Sequence, residues 1–165
     1  MKRPIKLSER LMAIIDCIDK QAAVADIGAD HGYLPVYLAQ TGLACRIIAS
    51  DISAGSLDTA RRNAARFNVT DKIEFFHAAG LDCVTHNDVD TIVIAGVGGE
   101  TILGILTDAP WTVEASAKGK LKLILQPQTK LDVLKSFLHD NDYTLTKQVT
   151  VRDRGREYTV LVVSG

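Results

Sequence analysis

Asp26-Ile27-Gly28-Ala29-Asp30-His31-Gly32-Tyr33 is the stretch that decides the fold. It closes the mostly apolar run Ala23–Ile27, which reads as a short strand. It opens the run Tyr33–Gln40, which reads as a helix ended by Gly42. Gly28 and Gly32 permit a tight turn and let a ligand approach the backbone closely. The helix that follows aims unpaired N–H groups into the same space. Strand, glycine turn and helix in this order open a nucleotide-binding βα unit.

Working outward, the same alternation continues. Upstream, Leu7, Leu11, Ile14, Ile15 and Ile18 recur at helical spacing, with Ser8 placed to cap, so an N-terminal helix is predicted within residues 1–20. Downstream, Arg46–Ser50, Ile73–His77, Val89–Ala95 and Leu121–Leu125 read as strands, and Ser53–Phe67, Glu100–Leu106 and Leu131–Leu138 as helices. The run at Val89–Ala95 lacks polar alternation, which predicts a strand buried on both faces. Tyr143–Val151 and Glu157–Val163 flank the turn Asp153-Arg154-Gly155-Arg156 and predict a closing hairpin over residues 143–165. The expected fold is α/β and Rossmann-like. Its twisted sheet is mostly parallel, with helices on both faces and a C-terminal antiparallel hairpin, in one domain over residues 1–165.

The bulk numbers fit that picture. The chain has 165 residues, 47% hydrophobic and 24% charged, which suits one globular domain and not a disordered one. No apolar run approaches the roughly 18 residues that span a membrane, and the basic start lacks the apolar core of a signal peptide. A cytoplasmic protein is expected. Cys17, Cys45 and Cys83 are scattered without zinc or disulfide spacing, so no metal is expected and each reads as a buried free thiol. The net charge of −1 carries no global nucleic-acid signature. Three local basic groups stand out: Lys2, Arg3, Lys6 and Arg10; Arg61, Arg62 and Arg66; Arg152, Arg154 and Arg156.

In an open α/β sheet, ligands bind beyond the carboxyl ends of the strands. The first loop misses the dinucleotide pattern G-x-G-x-x-G, because Asp30 stands at its second glycine. Asp26, Asp30 and Asp51 would also repel a pyrophosphate. This counts against an NAD-linked oxidoreductase and favours a cationic adenosine cofactor, S-adenosylmethionine. Asp51, 25 positions after Asp26, ends the second strand where an acid accepts from both ribose hydroxyls. Alternatively it serves the helix that Ser53 begins. After the third strand, Ala79 stands where many methyltransferases place Asp or Asn for the adenine amine. Backbone groups of Gly80 and Leu81, or Asp82, are left for that task. After the fourth strand, the glycines of Ile94-Ala95-Gly96-Val97-Gly98-Gly99 would let a target base approach, unless they form a plain flexible loop. After the fifth, the amides of Gln126-Pro127-Gln128 would meet a base edge.

At these residues the chain resembles the bacterial tRNA (adenine-N1)-methyltransferases of the TrmK family. The matching segments are LSERL, ADIGADHGYLP, DTIVIAGVGGETI, LILQPQ and the closing EYTVLVV, in that order along nearly the whole chain. The resemblance implies the class I methyltransferase form of the Rossmann-like fold, with methyl transfer from S-adenosylmethionine to N1 of adenosine 22 in the tRNA D-arm. It implies cofactor contacts at Asp26, Gly28, Asp30, His31, Asp51, Ile52, Gly80, Leu81 and Gly96, and substrate contacts at Gly96, Gly98, Gly99, Gln126, Pro127 and Gln128. Family members continue into a helical C-terminal domain, whereas this sequence stops at Gly165. Asp30 is the candidate carboxylate for the charge that develops on the methylated ring, and His31 is the second catalytic candidate. Blander roles, holding the loop or the cofactor's amino-acid end, stay open for both. The remaining alternative is a cofactor-binding module that does not turn over, or does so only with a partner.

Overall fold

In the computed structural model, which describes residues 3–165, the elements follow the predicted alternation. They are α1 (Glu9–Ile15), β1 (Ala22–Ile27), α2 (Tyr33–Thr41), β2 (Ala44–Asp51), α3 (Ala54–Arg66), β3 (Glu74–His77), β4 (Thr91–Val97), α4 (Gly99–Thr107), α5 (Trp111–Ala117), β5 (Lys122–Pro127), α6 (Leu131–Asp140), β6 (Leu145–Asp153) and β7 (Arg156–Val163). All seven strands form one sheet of order β3-β2-β1-β4-β5-β7-β6. β1 to β5 pair in parallel, and β7 runs antiparallel to both β5 and β6. Lys2 of the N-terminal basic group, like Met1 of the expected helical segment 1–20, lies outside the described residues.

Period-two burial on both faces accounts for the layers. Val24, Ile47, Ala49, Val93, Ile124, Val160 and Val162 share one core with α1 and α2. Ala25, Ile27, Ile48, Ile92, Ile94, Leu123, Leu125 and Leu161 alternate with them and pack beneath α4 and α6. Local chemistry sets the helix ends. Ser8 Oγ accepts from Leu11 N and Ser53 Oγ from Ser56 N, each at 3.2 Å, so both serines cap as expected. Gly42 ends α2 in the left-handed conformation.

Four local expectations needed correction. α1 stops at Ile15, and the buried Cys17 and Ile18 belong to tight turns with three-residue hydrogen bonds that swing the chain into β1. α5 was not foreseen. Its buried face is Thr112, Ala115 and Ser116, small or polar residues that leave no apolar periodicity. Tyr143 precedes the hairpin rather than starting it; its buried hydroxyl lies 2.7 Å from Thr112 Oγ1 and ties α5 to the segment after α6. Of the three thiols only Cys17 is buried. Cys45 is exposed and Cys83 half-buried, and all three are free.

The β1–α2 turn packs against α3 through Gly32. Its φ is 76°, and a Cβ there would stand 2.8 Å from Ala60 Cβ and 3.0 Å from Ala60 Cα. Gly32→Ala should therefore combine overpacking with a disfavoured φ and lose on the order of 2 kcal/mol or more. Urea unfolding checks this: the midpoint should fall clearly below wild type, with little change in slope.

Candidate functional site

β1 and β4 lie side by side at the centre of the sheet, where the strand order reverses. Their carboxyl ends open a cleft of about 660 Å3. Asp26, Gly28, Asp30, His31, Asp51, Ile52 and Gly96 all line it. A second cleft, about 510 Å3, is lined by Ala79, Gly80, Leu81 and Asp82 together with α4 residues and Trp111. Ile52, 72% exposed, lines both and joins them. The expected cofactor residues thus gather along one trough at the strand ends.

Asp51 organises the floor. Its Oδ2 accepts from Asp30 N at 3.0 Å and its Oδ1 from Ser53 N at 2.9 Å. The carboxylate therefore ties the β1–α2 loop to the start of α3. Each carboxylate oxygen offers a second lone pair, so acceptor capacity remains toward the cleft. Serving the helix start and facing a ligand are not exclusive. Gly28 N and Ala29 N both donate to Ser50 O at 2.9 Å, which fixes the loop from the other side. Asp30 holds a left-handed φ of 53° and keeps its side chain exposed, 3.6 Å from His31 Nε2. His31 stacks on Tyr33 with centroids 5.4 Å apart.

Asp26 is buried, at 6% exposure. Burial pushes its carboxyl up to about 7. Arg10 pulls the other way, and the charges of Asp51 and Asp30 add to the rise. Arg10 is the residue that local sequence did not single out, since it read only as one member of a basic group. The cap at Ser8 sets it in the first turn of α1, above the cleft. Its Nη1 donates to Gln126 Oε1 at 2.7 Å, and its guanidinium lies 6.0 Å from the Tyr158 ring centroid.

That network corrects the expected substrate side. Gln126 is fully buried. Its Oε1 also accepts from Gly96 N at 3.1 Å, and its Nε2 donates to Pro127 O and Gln128 Oε1. Its amide is engaged within the protein and Pro127 is buried, so neither presents an edge to a base; Gln128 is exposed and lines the cleft. The β4–β5 register shifts at Gly96, whose φ of 75° marks a bulge that aims this loop into the cleft. Gly98 and Gly99 do not line either cleft. A Cβ on Gly99 would lie 2.6 Å from Lys130 O and 2.7 Å from Thr129 O, so the missing side chain makes room for the chain's own backbone and not for a base. Among the described residues, no three His, Cys, Asp or Glu side chains are gathered to hold a metal.

A sheet of this order with an acidic trough at its switch point defines a Rossmann-like methyltransferase domain. The model of the family described as "Methyltransferase domain" matches residues 7–161. The chain is 34% identical over 158 residues to the tRNA (adenine(22)-N(1))-methyltransferase of Bacillus subtilis, covering 96% of this chain and 65% of that protein's length. It superposes on the crystal structure of B. subtilis TrmK with a TM-score of 0.86 at 34% identity, over 97% of this chain and 67% of that one. Sp1610 of Streptococcus pneumoniae, solved in complex with S-adenosyl-L-methionine, superposes with a TM-score of 0.88 at 30% identity, over 97% and 73% of the two chains. The chain belongs to the methyltransferase-domain family, on its TrmK branch.

The raised pKa of Asp26 has a consequence for stability. The unfolded chain ionises this group near 3.8, the folded chain near 7. Below the lower value both states are protonated and the group costs nothing. The cost grows through the window between the two values and is complete above about 7. Asp26→Asn should therefore be more stable than wild type at pH 8, by on the order of 4 kcal/mol at most. The difference should shrink toward pH 4. Urea midpoints of both proteins at pH 4, 6 and 8 check the sign.

Proposed function

We propose that this chain is an S-adenosylmethionine-dependent methyltransferase that acts on N1 of adenosine 22 in tRNA and works in the cytoplasm. The observation that carries the cofactor assignment is the trio Asp26, Asp30 and Asp51 on the floor of one cleft. These residues fit the cofactor. A buried carboxyl pushed up to about 7 returns to its ionised form beside a cation, and a ligand with ammonium and sulfonium groups supplies one. Pyrophosphate of a dinucleotide meets repulsion at the same place. The adenosine assignment is supported by Asp51 at the ribose position and by the exposed Ile52 beside the second cleft. The tRNA assignment is supported by the relatives, one of which bears that activity in its name.

The residues divide the work as follows. Asp26 receives the cofactor's positive amino-acid end, and Asp51 its ribose hydroxyls. Gly28 and Gly96 let it lie against the backbone, and Gly80 and Leu81 border the adenine. When bound, the cofactor supplies an electrophilic methyl group. The protein's main contribution is then to hold the N1 lone pair in line with it, which is worth roughly 7–11 kcal/mol at best. Asp30 projects into the cleft from a loop pinned by Asp51, so its carboxylate faces the incoming base. There it stabilises the ring charge as methylation proceeds and accepts a proton from the exocyclic amine. His31, seated on Tyr33, holds Asp30 in place.

Two measurements test this. Calorimetry should show tight binding of S-adenosylmethionine and none of NAD. Because binding a cation re-ionises Asp26, it should release a proton near pH 6, where the cofactor's amine stays protonated throughout, so the heat there should depend on the ionisation enthalpy of the buffer. Asp30→Ala should bind cofactor near normally yet lose methyl transfer to unmodified tRNA by about 100-fold or more. Parallel loss of both would make Asp30 a cofactor residue only. Binding without any transfer by the wild-type chain would favour a non-catalytic module.

A further inference from the structure

The floor of the cleft is acidic, but one wall is not. The segment leading into α1 and the turn between β6 and β7 both line the cleft and contribute Lys6, Arg10 and Arg154. Two basic groups from opposite ends of the chain therefore meet at one cleft, with Lys6 and Arg154 on its exposed side. Arg10 is committed inward, to Gln126 and Tyr158. Lys6 and Arg154 are exposed and form no ion pair among the described residues. Asp153 is the acid on this wall and lines the cleft beside them.

The hairpin turn sharpens the point. Asp153 pairs with Arg156, so Arg154-Gly155 is a two-residue loop, and both residues have positive φ, 52° and 78°. This is a type I′ turn, whose first position favours Asn, Asp or Gly. An arginine there accepts a disfavoured backbone and places a guanidinium at the tip of the hairpin. The third basic group, Arg61, Arg62 and Arg66, lies on α3 and does not line the cleft. Arg61 and Arg62 bond locally to Asp58 and Thr59.

We propose that the rim formed by the α1 entry segment and the β6–β7 turn grips the phosphate backbone of the RNA substrate next to the target nucleotide, with Lys6 and Arg154 as the contacts. This rests on the function proposed above. The chemistry separates two ligands at one opening: cations favour the acidic floor, and a polyanion crosses the basic rim. The target base would then enter over Tyr158 and Arg10, toward Asp30. Lone phosphate contacts of this kind give affinity and register, without base specificity.

The test is the double variant Lys6→Ala/Arg154→Ala in the full chain, with Arg61→Ala/Arg62→Ala as comparison. Unmodified tRNA transcript binding is measured by fluorescence anisotropy across a salt series, and cofactor affinity by calorimetry. The rim variant should bind tRNA about tenfold more weakly, with the log–log salt slope shallower by about one to two. Its cofactor affinity and its kcat at saturating tRNA should match wild type, and the α3 variant should bind tRNA as wild type does. Unchanged tRNA binding by the rim variant overturns the proposal. So does an equal loss in the α3 variant, a parallel loss of cofactor affinity, or a wild-type chain that binds no tRNA. A wild-type chain that binds tRNA through this rim but transfers no methyl group overturns the function proposed above and leaves the rim standing.

Discussion

The Asp51 carboxylate is the interaction on which the rest of the site depends. Its two oxygens accept from Asp30 N and Ser53 N, at 3.0 and 2.9 Å. One side chain at the end of β2 thereby holds the first loop and the start of α3 in a single arrangement. The arrangement has a cost. It brings Asp26, Asp30 and Asp51 around one space and leaves Asp26 buried, so that its carboxyl resists ionisation until about pH 7. Charged hydrogen bonds to backbone N–H groups are strong enough to hold such a cluster together. What the cluster lacks is a positive charge, and that lack is what a cationic ligand would relieve.

Arg10 partly relieves it from the other side. It reaches down from α1, touches Gln126, and so couples the acidic floor to the bulge at Gly96. Gln126 Oε1 accepts from both Arg10 and Gly96, which makes a buried amide the joint between α1, β4 and β5. Buried polar groups of this kind are costly unless fully satisfied, and here both the oxygen and the nitrogen of the amide are bonded. The glycines of the β4–α4 loop divide accordingly. Gly96 serves the bulge and faces the cleft, whereas Gly99 lets α4 start against the Thr129–Lys130 backbone.

Much of the trough was legible along the chain, because its parts sit at strand ends and the strands announce themselves. Asp26 and Asp51 end neighbouring strands, and Gly28 to Gly32 form the turn between a strand and a helix with recognisable ends. The errors have a common cause. Gln126 and Gly99 have residue types that suit either a ligand or the chain's own backbone. Only the packing partner tells which. α5 stayed hidden for a related reason, since Thr112 and Ser116 bury polar side chains that satisfy themselves locally.

The sequence by itself determined the alternation of strands and helices, the caps at Ser8 and Ser53, the hairpin turn and the acids at the strand ends. Each of these follows from side chains within a few residues of one another, where periodicity and turn chemistry act. Only the tertiary structure decided that Arg10 would meet Gln126, 116 positions away, and that Lys6 would share a rim with Arg154. It also decided that the space at Gly99 would be filled by backbone from the far side of β5. Such meetings depend on how the sheet brings distant segments together, and local patterns carry no record of that distance.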